Sequence, residues 1–321
     1  MAKIYLFCSA EQFQPETLVD QAVLAEQAGF DGIMISEHFH PWVDDYGTSG
    51  FTFSTLGAIA ARTKHIRLMT AVVAPLFRYH PAVVAQAAAT IDRLSNGRFE
   101  LGIGSGENIN EQPLGFVFPA YKERHKRLSE AIEILTRLLQ GERLDFHGEF
   151  YQTNAAKLYS PPLGTVPIFL AAGGPQTATL AARTCDGMIM SVKDILETNT
   201  MLQATESTYK KTFMIIATRW SIYAETDEQA WEALKAQRGL RAPSRETANP
   251  LELQREADRL PRIEILNKYH LLHSADDYVA TYGPLITDLH ADIVGIQTTS
   301  IDQMSTIMML GKKVLPRLRA L

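Results

Sequence analysis

Short apolar runs alternate along the chain with longer stretches whose apolar residues recur every three or four positions. The first period suits buried strands and the second amphipathic helices, so the pattern reads as repeated βα units. Strands are expected at 4–7, 32–36, 66–73, 99–103, 167–171, 187–190, 213–223 and 293–298. Between them, 15–29 places Leu18, Ala22 and Ala25 on one helical face and ends at Gly29. Pro81 opens another helix, over 81–95, at the position where its missing N–H costs nothing. Further helices are expected at 54–63, within 120–139, at 176–184, around 198–211, after Thr226 and at 306–318. Eight strands with intervening helices close most economically as a (β/α)8 TIM barrel; a doubly wound open α/β sheet is the alternative. Two stretches break the rhythm: 141–163, read as a hairpin-like insertion, and 237–265, whose polar start at 237–250 reads as a mobile lid. The whole of 1–321 is expected to form one domain.

Composition narrows the function classes. The chain has 321 residues, 46% of them hydrophobic, with 31 basic and 36 acidic side chains and a net charge of -5. With no basic block or stripe, nucleic acid and anionic membranes are not expected partners. Cys8 and Cys185 stand far apart, and no His/Cys group has metal-ligand spacing, so no metal is expected. The first residues turn polar before a signal-type apolar stretch develops, and no 18-residue apolar run occurs, which points to a cytoplasmic protein.

In a barrel of this kind chemistry sits on the loops after the strands. The second expected strand is followed by Ser36-Glu37-His38-Phe39-His40-Pro41-Trp42. An imidazole there exchanges protons near neutrality, and an indole walls off a flat ligand; a loop cap at Glu37 and a polar-pocket His38 is the structural alternative. The third strand leads into Ala71, Val72, Val73 and Ala74, either a buried strand and plain loop or a surface small enough for a ring to lie on the backbone, and then Arg78 and His80, read as loop supports. The fourth runs into Gly104-Ser105-Gly106-Glu107-Asn108-Ile109-Asn110, which matches neither the P-loop nor the GxGxxG fingerprint. Gly173-Gly174-Pro175-Gln176-Thr177 opens a helix with exposed N–H groups, either an anion site or a plain turn.

Together, residues 11–42, 77–111 and 166–187, and more distantly 250–269 and 315–321, resemble the F420-dependent glucose-6-phosphate dehydrogenase group of the luciferase-like monooxygenase superfamily. The likeness covers nearly the whole chain and thins over about 191–249. It implies a homodimeric oxidoreductase that passes a hydride between coenzyme F420, a deazaflavin, and an alcohol or sugar CH–OH group. It implies His38 as the catalytic base or acid, Glu107 as the proton partner of the deazaflavin, and Trp42 as a wall of the reaction centre. Glu37, standing where the group has Asp, and Ala71, Val72, Ala74, Ser105, Gly106, Asn110, Gly173, Gly174, Gln176 and Thr177 fall on cofactor-contact positions. A non-proline cis peptide is implied at Ala71–Val72. The group's basic sugar-phosphate residues have no clean counterparts here. Ser191 and Lys193, Lys268 and Tyr269, and Ser244-Arg245 occupy the corresponding regions, so another sugar phosphate or an unphosphorylated alcohol or ketone fits as well. An FMN-dependent monooxygenase and a non-catalytic flavin-binding barrel remain the alternative functions.

Overall fold

The structure is a computed structural model that describes residues 1–209, 212–242 and 247–321. Its strands are β1 (Lys3–Cys8), β2 (Gly32–Ile35), β3 (Arg67–Thr70), β4 (Phe99–Ile103), β5 (Leu144–His147), β6 (Gln152–Ala156), β7 (Ile168–Ala171), β8 (Gly187–Ser191), β9 (Met214–Tyr223), β10 (His270–Leu272) and β11 (Ile293–Thr299). Parallel pairing runs β1-β2-β3-β4-β7-β8-β9-β11 and returns from β11 to β1, so the sheet closes into a (β/α)8 barrel. Closure rules out the open doubly wound sheet. β5 and β6 form a separate antiparallel pair within the 141–163 stretch.

The alternation of side chains explains the two cores. Tyr5, Met34, Met69, Phe169, Ile189, Ile216 and Ile293 form one buried cluster that fills the barrel. Their strand neighbours, among them Ile4, Leu6, Ile33, Leu68, Leu101 and Leu170, pack outward on the helices. Each such side chain contributes about 1.5–3 kcal/mol on burial. Toward the strand starts the filling turns polar: Tyr5 donates to buried Glu100, which also pairs with Arg67. That leaves the opposite ends of the strands to carry the loops of interest.

Three sequence expectations need correction. β3 stops at Thr70, the chain then passes through a cis Ala71–Val72 peptide, and Val73 meets Ile103 only through an isolated bridge. The start of the expected lid is packed structure: Lys235–Arg241 forms a tight helical segment with Ala236 through Leu240 buried. Arg238 is held there by Asp45 and Asp258, at 2.7 Å from each. Gly239 fits because any Cβ there would collide with the Trp42 carbonyl. Lastly, β10 has no counterpart among the expected strands. β9 outruns β8, whose last partner is Thr218, and β10 pairs with the leftover residues Ser221–Tyr223.

Candidate active site

β1 and β2 run in register with Cys8 opposite Ile35. Three residues beyond each partner stand Glu11 and His38, and the two side chains meet. His38 Nε2 lies 3.4 Å from Glu11 Oε1 and 3.2 Å from Glu107 Oε2, the latter from the loop after β4. The other ring nitrogen, Nδ1, is 3.1 Å from the His40 carbonyl. A carbonyl only accepts, so Nδ1 carries a proton and Nε2 is the nitrogen left to exchange one. Burial alone pushes the imidazole down, but the Glu11 charge and the bond to Glu107 outweigh it and raise His38 to about 9. Trp42 packs its ring 5.0 Å from the His38 ring.

Glu11 escaped the sequence reading. It is buried, and Ser36 Oγ donates to its Oε2 at 2.8 Å while accepting from the Ala10 N–H at 2.8 Å. That pair of bonds fixes the carboxylate beneath His38.

A second charged cluster lies beside the first. Arg78 grips Glu37 with both guanidinium ends, at 2.8 and 2.5 Å, and Tyr79 Oη donates to the same carboxylate. Glu111 faces Arg78 Nε at 3.5 Å and accepts from its backbone N–H. Burial is the main influence on Glu111 and raises its pKa against the pull of Arg78. Asn110 ties the two clusters together, since its Oδ1 accepts from the Phe39 N–H at 2.9 Å.

Between these clusters is a pocket of about 320 Å³. Ala71, Val72 and Ala74 form one side, Gly104, Ser105 and Gly106 another, and Glu37, His38, Glu107 and Asn110 supply the polar edges. Gly106 is at φ 77°, a left-handed conformation that suits glycine. Along these two sides no side chain is larger than valine, which leaves an open slot. Ala171 also lines it, and from there the chain passes through exposed Gly173 and half-buried Gly174 into the helix Pro175–Thr184. No side chain caps that helix, and a Cβ at Gly173 or Gly174 would meet open space. Gln176 is exposed at its start, and Thr177 is buried with its hydroxyl 2.6 Å from Tyr121 Oη. A second pocket, of about 760 Å³, meets the first at Gly106 and Glu107 and is walled by Trp42.

The residues assigned to the substrate fare differently. Ser191 and Lys193 are exposed at the end of β8 and line neither pocket. Lys268 donates to the Arg241 carbonyl at 3.1 Å, and Tyr269 is buried against Trp220, so these also stand outside both pockets. Ser244 and Arg245 lie outside the described residues. Among the described residues no group of three His, Cys, Asp or Glu side chains is placed to hold a metal, and no helix is long and apolar enough to cross a membrane.

Residues 3–285 match the luciferase-like monooxygenases. The chain belongs to the luciferase-like monooxygenase family. Its relatives include proteins named F420-dependent glucose-6-phosphate dehydrogenase from Nakamurella multipartita and Nocardia farcinica. Both are 37% identical to it over 98% of this chain, and the matches span 95% and 97% of those proteins. Among solved structures, an F420-dependent secondary alcohol dehydrogenase in complex with an F420–acetone adduct superposes with a TM-score of 0.91. It shares 26% identity, over 99% of both chains. In this luciferase-like barrel the loops that carry His38, Glu107 and the small-residue slot all fall within the matched region.

Proposed function

We propose that this luciferase-like protein is an F420-dependent oxidoreductase that interconverts an alcohol or sugar CH–OH group with its carbonyl. The observation that carries the reading is the sharing of His38 Nε2 by two carboxylates at the edge of a slot lined with small side chains. The slot fits the ring of a deazaflavin, and the uncapped helix after Gly174 suits its anionic tail. Bound coenzyme F420 supplies a two-electron hydride acceptor or donor.

The side chains handle the protons. In oxidation, neutral His38 takes the substrate hydroxyl proton at Nε2 while the carbinol hydrogen leaves as hydride. Glu11, buried below, stabilises the imidazolium that forms. Glu107, half exposed on the other side, holds or releases the compensating proton at Oε2. Trp42 holds the imidazole in place and keeps water from one side of it. Glu37, locked by Arg78, which lines the same slot, gives it a fixed polar edge. Carbonyl reduction runs through the same groups in reverse.

Titrating the purified protein with F420 and with FMN tests this, followed by an alcohol and sugar panel read at the F420 absorbance. F420 should bind and lose its oxidised absorbance when a substrate is added. Tight binding of FMN alone would overturn the assignment.

A further inference from the structure

Resting on that reading, we infer that the substrate is an uncharged alcohol or ketone with an apolar body, and not a sugar phosphate. The larger pocket, on the substrate side of Trp42, is walled by Trp42, Ile109, Phe116, Val117, Phe118 and Leu253. Its polar lining consists of Asn108, Gln112, Thr247 and the Glu107 carboxylate, and no lysine or arginine lines it among the described residues. A phosphate dianion needs converging cations. Here it would instead face a carboxylate that is 46% exposed.

Among the described residues, the arginines and lysines of the surrounding segments make other contacts. Arg78 is spent on Glu37 and Glu111, and Arg238 on Asp45 and Asp258. Arg124 stacks on the Phe118 ring and donates to the Pro119 carbonyl. Arg241 lies over the Tyr269 ring, and Lys268 donates to the carbonyl of Arg241.

What the pocket offers is apolar surface left to water. Phe116 is 38% exposed and Val117 83%, and both line the pocket beside Phe118. An aliphatic or aromatic substrate body would cover these side chains, and each methylene buried should tighten binding about fourfold. The carbinol end would then reach Glu107, where this pocket meets the slot holding His38. Oxidation there breaks the carbinol C–H and O–H bonds; the hydride passes to bound F420 and the proton to His38, leaving a ketone.

The test uses the F420-loaded enzyme with 2-alkanols of increasing length, glucose and glucose 6-phosphate, alongside calorimetric titration of 2-alkanones into the protein. The expected result is kcat/KM rising about threefold to fourfold per methylene until the pocket is full, with a parallel gain in ketone affinity. Glucose 6-phosphate should run at least about 100-fold below the best alcohol. Val117→Asp, at an exposed position that does not threaten folding, should cut kcat/KM for the longest alcohol about tenfold, with F420 affinity retained. A preference for glucose 6-phosphate, or a flat response to chain length in both measurements, overturns the inference while leaving the F420 assignment standing. Failure to bind F420 at all overturns the assignment and the inference with it.

Discussion

The two charged clusters that flank the slot use the same ingredients to opposite ends. In one, Glu11 and Glu107 share an imidazole; in the other, Glu37 and Glu111 share a guanidinium. The imidazole, raised to about 9, can gain and lose a proton, which is the part the proposed reading gives the first cluster. The guanidinium never does, so the second stays fixed through a reaction cycle. Of the four carboxylates only Glu107 opens to solvent, since Glu11 is 3% exposed. Glu107 is 46% exposed, whereas the Glu37 and Glu111 side chains are 1% and 0% exposed. The contrast separates a proton-handling wall from a scaffold wall, with the slot between them.

The scaffold wall should give the largest energetic response. Arg78→Met leaves two buried carboxylates without their cation, and the expected loss is about 3–5 kcal/mol of stability, read as a lower urea midpoint at neutral pH. Because protonation removes the uncompensated charge, the deficit should shrink as the pH falls into the carboxylate range. A constant deficit between pH 7 and 5 would mean that packing, not charge, holds this wall. On the other side, His38→Ala should cut turnover about 100-fold or more, with the fold and most of the F420 affinity preserved. Unchanged turnover would remove His38 from the chemistry and merge the two walls into one structural role.

The sequence made the barrel readable because its strands are mostly short apolar runs set between amphipathic stretches, and each expected strand overlaps an observed one. His38, Trp42 and Glu107 were readable too, as polar or aromatic residues crowded just after strand ends. Glu11 was not. It follows β1 and precedes the helix Pro15–Ala28, where a carboxylate reads as part of an ordinary solvated turn. Only the pairing of β1 with β2 sets Cys8 opposite Ile35 and so brings Glu11 to His38. Equal spacing beyond two neighbouring strands was the signal, and it is visible only once the pairing is known. Arg78 reads as a mere loop support for a similar reason, since its partner Glu37 sits after a neighbouring strand. The reading of Lys193, Lys268 and Tyr269 rested on likeness to a family pocket, and the fold sets all three outside the two pockets described.

Glu11→Gln sharpens the division of labour by a smaller amount. Oxidation needs neutral His38, so kcat/KM for alcohols should rise with pH through about 9, while carbonyl reduction should fall above it. Removing the Glu11 charge takes away a factor that raises the imidazole and leaves burial, which lowers it. Both profiles should therefore move to lower pH, by about one unit. Arg78→Lys, which keeps the scaffold charge, should leave the inflection where it is. If the two variants shift the profile equally, the clusters titrate as one network.

The smallest expected effect belongs to the bond that joins the walls. Asn110 sits next to Glu111 and accepts from Phe39, which sits next to His38. Asn110→Ala strands a partly buried N–H, and about 1 kcal/mol of stability should be lost. If that bond also holds the proton-handling loop in register with the scaffold, the cost of His38→Ala in turnover should change when Asn110→Ala is already present. A double-mutant cycle reads this difference directly, and about 0.5 kcal/mol or more is what contacting groups show. Strict additivity would make the two walls independent, each built on its own strand ends, with the slot between them set by the barrel alone.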